Sequence, residues 1–96
     1  MAENAPMVSI IIATFNASAT LARCLNSIVN QNTRNWELIV IDGASTDGTV
    51  DLIESFSNSI AYWQSQSDSG IYDAWNRGLD KATGKYICFY VHAIDQ

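Results

Sequence analysis

Apolar residues along this chain recur in two rhythms that alternate from one end to the other. Residues 8–14 are β-branched and apolar on both faces apart from Ser9 and Thr14, which predicts a central strand covered by helices on both sides. Phe15, Asn16, Ala17 and Ser18 break the run, and Leu21, Cys24, Leu25, Ile28 and Val29 then recur on one helical face. Ser18 is placed as its N-cap, and residues 31–33 end it. Residues 36–42 form a second buried strand that stops on the carboxylate of Asp42. After the loop 43–48, the residues Val50, Ile53 and Phe56 mark a short helix, with Asp47 and Asp51 near its positive end. Residues 60–65 read as a third strand, less apolar and so nearer an edge, and 67–70 as another loop. Ile71, Trp75, Gly78, Leu79 and Ala82 give a third helical stripe closed by Gly84, before a fourth strand over 86–91.

The order β-α-β-α-β-α-β with helical crossovers calls for an α/β fold with a parallel sheet and right-handed connections. Strand one is the most aliphatic, so it belongs at the centre, and the predicted order is 3-2-1-4. Right-handed crossovers then set the first two helices on one face and the third on the other.

Composition narrows the class. With 96 residues, 48% of them hydrophobic, the chain supports one domain or a piece of one, with residues 1–7 as a loose leader. That apolar content excludes a disordered tail, and no aliphatic run approaches the roughly 20 residues of a bilayer span. No basic stretch precedes an apolar one, so no signal peptide is expected; the expectation is a cytoplasmic protein, or one peripheral at the inner face of the membrane. A net charge of −5 argues against nucleic acid and implies that a phosphorylated ligand is met through a divalent cation. Cys24 and Cys88, far apart in apolar segments, read as buried thiols in a reducing compartment.

Ligands of open parallel sheets bind beyond the C-terminal strand ends. There this chain gathers Thr14, Phe15 and Asn16, then Asp42 to Ser45, then Ser67 to Gly70, then His92 to Asp95. A dinucleotide Gly-x-Gly-x-x-Gly is absent, and 43–49 has P-loop glycine spacing without its lysine. A mononucleotide held through its base stays open: Asp42 is able to accept from an imide N–H, and Phe15 to lie against a base. A strand-end turn acid and a core aromatic fit the same two residues equally well.

Three blocks decide between these readings. Residues 8–16, residues 37–49 (Glu37 through Asp42, Gly43, Ser45, Asp47 and Gly48 to Thr49), and residues 68–78 followed by 82–87 resemble, in order, the opening of a family 2 glycosyltransferase of the bacterial surface-polysaccharide branch. The resemblance implies a three-layer, Rossmann-like sheet, the N-terminal half of a GT-A fold, that binds the nucleotide of a sugar donor. It implies a nucleotide-binding set of Thr14, Phe15, Asn16, Asp42, Ser45, Asp68, Gly70 and Arg77, with Phe15 and Asp42 at the base and Arg77 toward the diphosphate. Asp73 orients the third helix, and Trp75 belongs to the core. The family follows strand four with an acidic metal motif; here that leaves Asp95, in a shifted register, as the metal carboxylate for Mn or Mg, while His92 reads as a solvated strand-end residue.

The implied activity is inverting transfer of a sugar, from a UDP-sugar by expectation, to a saccharide or lipid-linked acceptor, with the general base outside this chain. The alternatives are a non-catalytic nucleotide-binding or assembly module derived from that fold, and an unrelated doubly wound domain with an acidic strand-end pocket. Strand four, with no element after it, is expected to leave an open edge, and hence a homodimer.

Overall fold

The computed structural model describes residues 6–31, 35–67 and 70–93, the last two as backbone only. Its elements are β1 (Val8–Phe15), α1 (Ser18–Val29), β2 (Trp36–Asp42), α2 (Thr49–Ser55), β3 (Tyr62–Ser65), α3 (Ile71–Leu79) and β4 (Tyr86–Ala93), with a 3-10 turn over Ser57–Ser59. The four strands are parallel in the order β3-β2-β1-β4. β1 runs beside β2 from Val8↔Trp36 to Thr14↔Asp42, and beside β4 from Val8↔Tyr86 to Phe15↔Ala93.

Alternation along β1 divides the core into two layers. Ile10 and Ile12 point into one, with Leu38, Val40, the α1 residues Leu21, Leu25 and Ile28, and Ile53 of α2. Ile11 and Ala13 point into the other, with Ile39, Ile41 and Ala74 of α3. Two helices therefore cover one face and the third covers the opposite face, as right-handed crossovers require. Cys24 and Cys88 are free, half-buried thiols packed on the α1 side; burial pushes the Cys24 thiol up, and a hydrogen bond with Cys88 raises the Tyr90 phenol.

Glycines set the closeness of the α3 layer. A Cβ on Gly78 would stand 2.4 Å from Cγ2 of Ile11, so only glycine lets α3 lie this near β1. Gly84 does not close α3, which ends five residues earlier at Leu79. A Cβ there would stand 2.6 Å from both N and Oγ of Ser9, and the Gly84 N–H instead donates to Ser9 Oγ at 2.8 Å. Ser9, fully buried, passes its own hydrogen to Glu37, whose same oxygen accepts from the Thr83 N–H at 2.6 Å. That network pins the α3–β4 connection beneath β1 and β2, at the end of the sheet away from the strand C-termini.

Several boundaries differ from the sequence expectation, among them those of β4, which runs on to Ala93, and of β1, which includes Phe15. Ser18 is the first helical residue and not the cap: Ala17 stands at the N-cap without a side-chain bond, and Asp47 accepts from the Ser18 N–H at 3.3 Å. β3 starts at Tyr62, because Ile60 turns into the α1-side core. The leader expected over 1–7 is tied at its last residue, where the Met7 N–H donates to Asn35 and its carbonyl accepts from Tyr86 at 2.9 Å; residues 1–5 lie outside the described residues.

Candidate functional site

Parallel strands that end in step bring their loops together at one edge. The β1–α1 and β2–α2 loops are joined there by three bonds: Gly43 N–H to the Thr14 carbonyl at 3.0 Å, Asn16 N–H to Ser45 Oγ at 2.8 Å, and Thr46 N–H to Asn16 Oδ1 at 2.7 Å. Asn16 takes a positive φ of 48°, which its short polar side chain tolerates; Ala44, at 66°, has no such excuse and is strained. Asp47 accepts from Thr49 N–H at 3.1 Å, from the Thr49 hydroxyl and from Ser18, so one carboxylate serves the starts of both α1 and α2. These hydrogen bonds, led by that from the Thr49 hydroxyl, hold its pKa below the ordinary 3.8.

Asp42 lies at the bottom of this knot with no exposure. One of its oxygens accepts from Ser45 N–H at 2.8 Å and from Ser65 Oγ at 2.7 Å, and the other from Ser45 Oγ. The carboxylate read from the sequence as a base contact accepts from two serines, one of them 23 residues downstream on β3. In this structure it organises the strand-end loops.

Beside the knot opens a cavity of about 400 Å³. Ala13, Thr14 and Phe15 of β1, Gly43, and Val91 of β4 form one wall; Ser67, Gly70, Ile71 and Ala74, around the start of α3, form the other. Thr14 is only 4% exposed, and its Oγ1 has no hydrogen-bond partner among the described residues. A buried hydroxyl left so costs about 1–3 kcal/mol. Thr14 lines the cavity as a residue, while its hydroxyl stays buried. Phe15 is partly exposed at the same wall.

The structure therefore separates the residues singled out from the sequence. Thr14, Phe15 and Gly70 line the cavity, whereas Asn16, Asp42 and Ser45 form the support beside it. Arg77 does neither. It lies six residues into α3, about 9 Å along the axis from its start, and pairs with Asp73 at 3.1 Å. Its Nη1 is buried without a partner among the described residues. Asp68, Asp95 and the side chain of His92 fall outside the described residues. Trp75 is half-buried against the α3-side core, its ring 4.7 Å from that of Phe89, as expected of a core residue. The cavity's apolar wall of Ala13, Ile71, Ala74 and Val91 was missed, since in the sequence these residues look like ordinary strand and helix interior.

No group of three His, Cys, Asp or Glu side chains among the described residues is placed to hold a metal ion. No described helix is long and apolar enough to cross a membrane.

A parallel three-layer sheet with a partly apolar cavity at its C-terminal edge, beside a buried polar knot, is the architecture of α/β units that take ligands at their strand ends. The family profile described as Glycosyl transferase family 2 matches residues 9–90, and the chain belongs to that family. A PGL/p-HBAD biosynthesis glycosyltransferase of Mycobacterium bovis is 44% identical over 88 residues, which cover 88% of this chain and 34% of that protein. S. aureus TarS 1-349, solved in complex with UDP-GlcNAc, superposes with a TM-score of 0.79 at 26% identity, over 88% of this chain and 26% of TarS. The mannosyltransferase PcManGT from Pyrobaculum calidifontis, in complex with GDP-Man and Mn2+, gives a TM-score of 0.72 at 29% identity, over 82% of this chain and 25% of that one. The fold is that of the GT-A glycosyltransferases, and the chain spans about a third of the length of the curated relatives it matches.

Proposed function

We propose that this chain is the donor-binding part of an inverting glycosyltransferase that transfers a sugar from a UDP-sugar to a saccharide or lipid-linked acceptor. The observation that carries the proposal is the strand-end cavity lined by Thr14, Phe15, Gly43 and Gly70. Its volume of about 400 Å³ falls within the range of small-molecule sites. Phe15 offers a ring for a base, and Asp42, Ser45 and Asn16 fix the loop against which the base rests. Under this reading Gly70 belongs to the nucleotide-binding set, Asp68, outside the described residues, is expected near the ribose or base, and Arg77 reaches the diphosphate only by turning away from Asp73. UDP-GlcNAc in TarS supports a uridine donor, and GDP-Man in PcManGT is the competing case.

A divalent cation, with Asp95 as its carboxylate, belongs to the proposal on the chain's charge of −5 and on the Mn2+ of PcManGT. None of the described residues supplies that site. No carboxylate or imidazole is among the described residues lining the cavity. With the general base expected outside these 96 residues, the chain is expected to bind donor as a single domain without turning it over.

Titration calorimetry with UDP, UDP-GlcNAc, GDP and GDP-mannose, with and without Mn2+, tests the reading. Heat from the uridine nucleotides, stronger with Mn2+, is the expected result. The proposal fails if no uridine nucleotide gives heat up to millimolar concentration, and guanosine-only binding would reassign the donor.

A further inference from the structure

Asp42 does more than close its own turn. Its backbone and its side chain both reach the end of β3: the Gln66 N–H donates to the Asp42 carbonyl at 3.0 Å, and Ser65 Oγ donates to Asp42 Oδ2 at 2.7 Å. The same Oδ2 accepts the Ser45 N–H at 2.8 Å, while Oδ1 accepts from Ser45 Oγ. Ser45 Oγ in turn accepts the Asn16 N–H at 2.8 Å. Ser65, Asp42, Ser45 and Asn16 thus form one line of hydrogen bonds across the ends of β3, β2 and β1.

The line runs behind the cavity and not through it. Ser65 stands beside Asp42 in the parallel register, so the two side chains leave the same face of the sheet. Two residues earlier on each strand, Trp63 and Val40 pack into the α1-side core, and alternation puts Ser65 and Asp42 on that side as well. The helical wall of the cavity, Ile71 and Ala74, belongs to α3 on the other side. Asp42, Ser45 and Ser65 are not among the described residues that line it. Each end of the line nevertheless lies next to a residue that does: Asn16 follows Phe15, and Ser67 is two residues past Ser65. β3 itself holds that second wall only lightly. It is four residues long, half-buried throughout, and its ladder to β2 stops at Ser65.

We propose that Ser65 is a positioning residue for the donor cavity: through Asp42 and Ser45, its hydroxyl holds the wall that begins at Ser67 in place against the wall that ends at Phe15. The role in donor binding rests on the reading of the cavity as a nucleotide site; the coupling of the two loops does not. A carboxylate suits the task, because it accepts from several donors at once and binds each more strongly than a neutral acceptor would. Bonds that share one acceptor group support one another, so a loss at one end is felt at the other. Coupling of this kind is reciprocal: a change at Ser45 reaches Gln66 just as a change at Ser65 reaches Asn16.

Amide hydrogen exchange of the nucleotide-free chain reads the coupling. Ser65→Ala is expected to speed exchange of the Ser45 and Asn16 amides about fivefold, the equivalent of one lost hydrogen bond, beyond any change at the Ile11 amide, which reports global opening. Ser45→Ala leaves β3 unaltered and covers the case in which the first variant does not fold; it is expected to speed the Gln66 amide in the same way. Titration calorimetry with UDP then reads the cavity. Ser65→Ala is expected to bind about fivefold more weakly, and Ser65→Thr, which keeps the hydroxyl, to bind like the unaltered chain. Far-loop amides that follow only global opening in both variants overturn the proposal. So does a Ser65→Ala chain that loses stability in urea but keeps its UDP affinity, or a loss of affinity that Ser65→Thr does not restore. If the unaltered chain binds no uridine nucleotide, it is the donor reading that fails, and the exchange rates alone decide whether Ser65 couples the two loops.

Discussion

Thr14 lines the cavity and buries a hydroxyl that nothing among the described residues binds. Folding alone gives no reason to keep it. Valine has nearly the same shape and would remove an unsatisfied group. Thr14→Val is therefore expected to raise the unfolding free energy by about 1 kcal/mol. If the hydroxyl bonds the nucleotide, the same change weakens UDP binding by about 1 kcal/mol, roughly fivefold. Thermal melting and calorimetry read the two effects separately. Opposite signs identify a ligand contact, whereas a loss of both stability and affinity would give Thr14 a structural partner. Asp42 shows the reverse relation. Its place at a strand end is plain in the sequence, but Ser65 becomes its partner only when β3 is laid beside β2, so that bond was not legible there.

Elements were legible where burial on both faces leaves one choice. β1 and β2, aliphatic on both sides, fall where the apolar runs put them, and the strand order follows from β1 being the most apolar. β4 extends two residues past its apolar run because it follows β1 as far as Phe15, a partnership no local pattern encodes. Arg77 meets Asp73 four residues earlier, the spacing at which helical side chains meet, so that pair too is legible in the sequence. The glycines are the clearest case of meaning that appears only on packing. Gly84 reads as a helix stop and serves a close approach to Ser9, and Gly78 reads as a weak point in a helix and lets α3 sit against Ile11. Gly78→Ala gains about 1 kcal/mol of helix propensity and meets overpacking of about 1–3 kcal/mol, so a net loss of about 1 kcal/mol is expected. Ile11→Leu moves the offending branch from Cβ to Cγ and is expected to recover part of the loss, as a double-mutant cycle in urea would show. A stabilised Gly78→Ala chain would mean that α3 moves outward freely.

Charge acts on the scale of the whole molecule. The chain carries −5, and no Lys or Arg is among the described residues that line the cavity. A nucleoside diphosphate brings two or more further negative charges to that opening. Across roughly 20 Å in water, five protein charges against two ligand charges oppose binding by about 2 kcal/mol before screening. At about 20 mM salt the Debye length is near 20 Å and much of that opposition survives; at about 200 mM it is near 7 Å and little does. UDP affinity is therefore expected to rise roughly threefold between those conditions, the reverse of a basic phosphate site. Mn2+ should remove most of the dependence, since it neutralises the diphosphate where it sits. Calorimetry with UDP across a NaCl series, repeated with the cation present, measures both slopes. If affinity instead falls as salt is raised, a cationic contact outweighs the molecular field. Arg77, released from Asp73, is the described residue that would supply it, and Arg77→Ala should then flatten the slope.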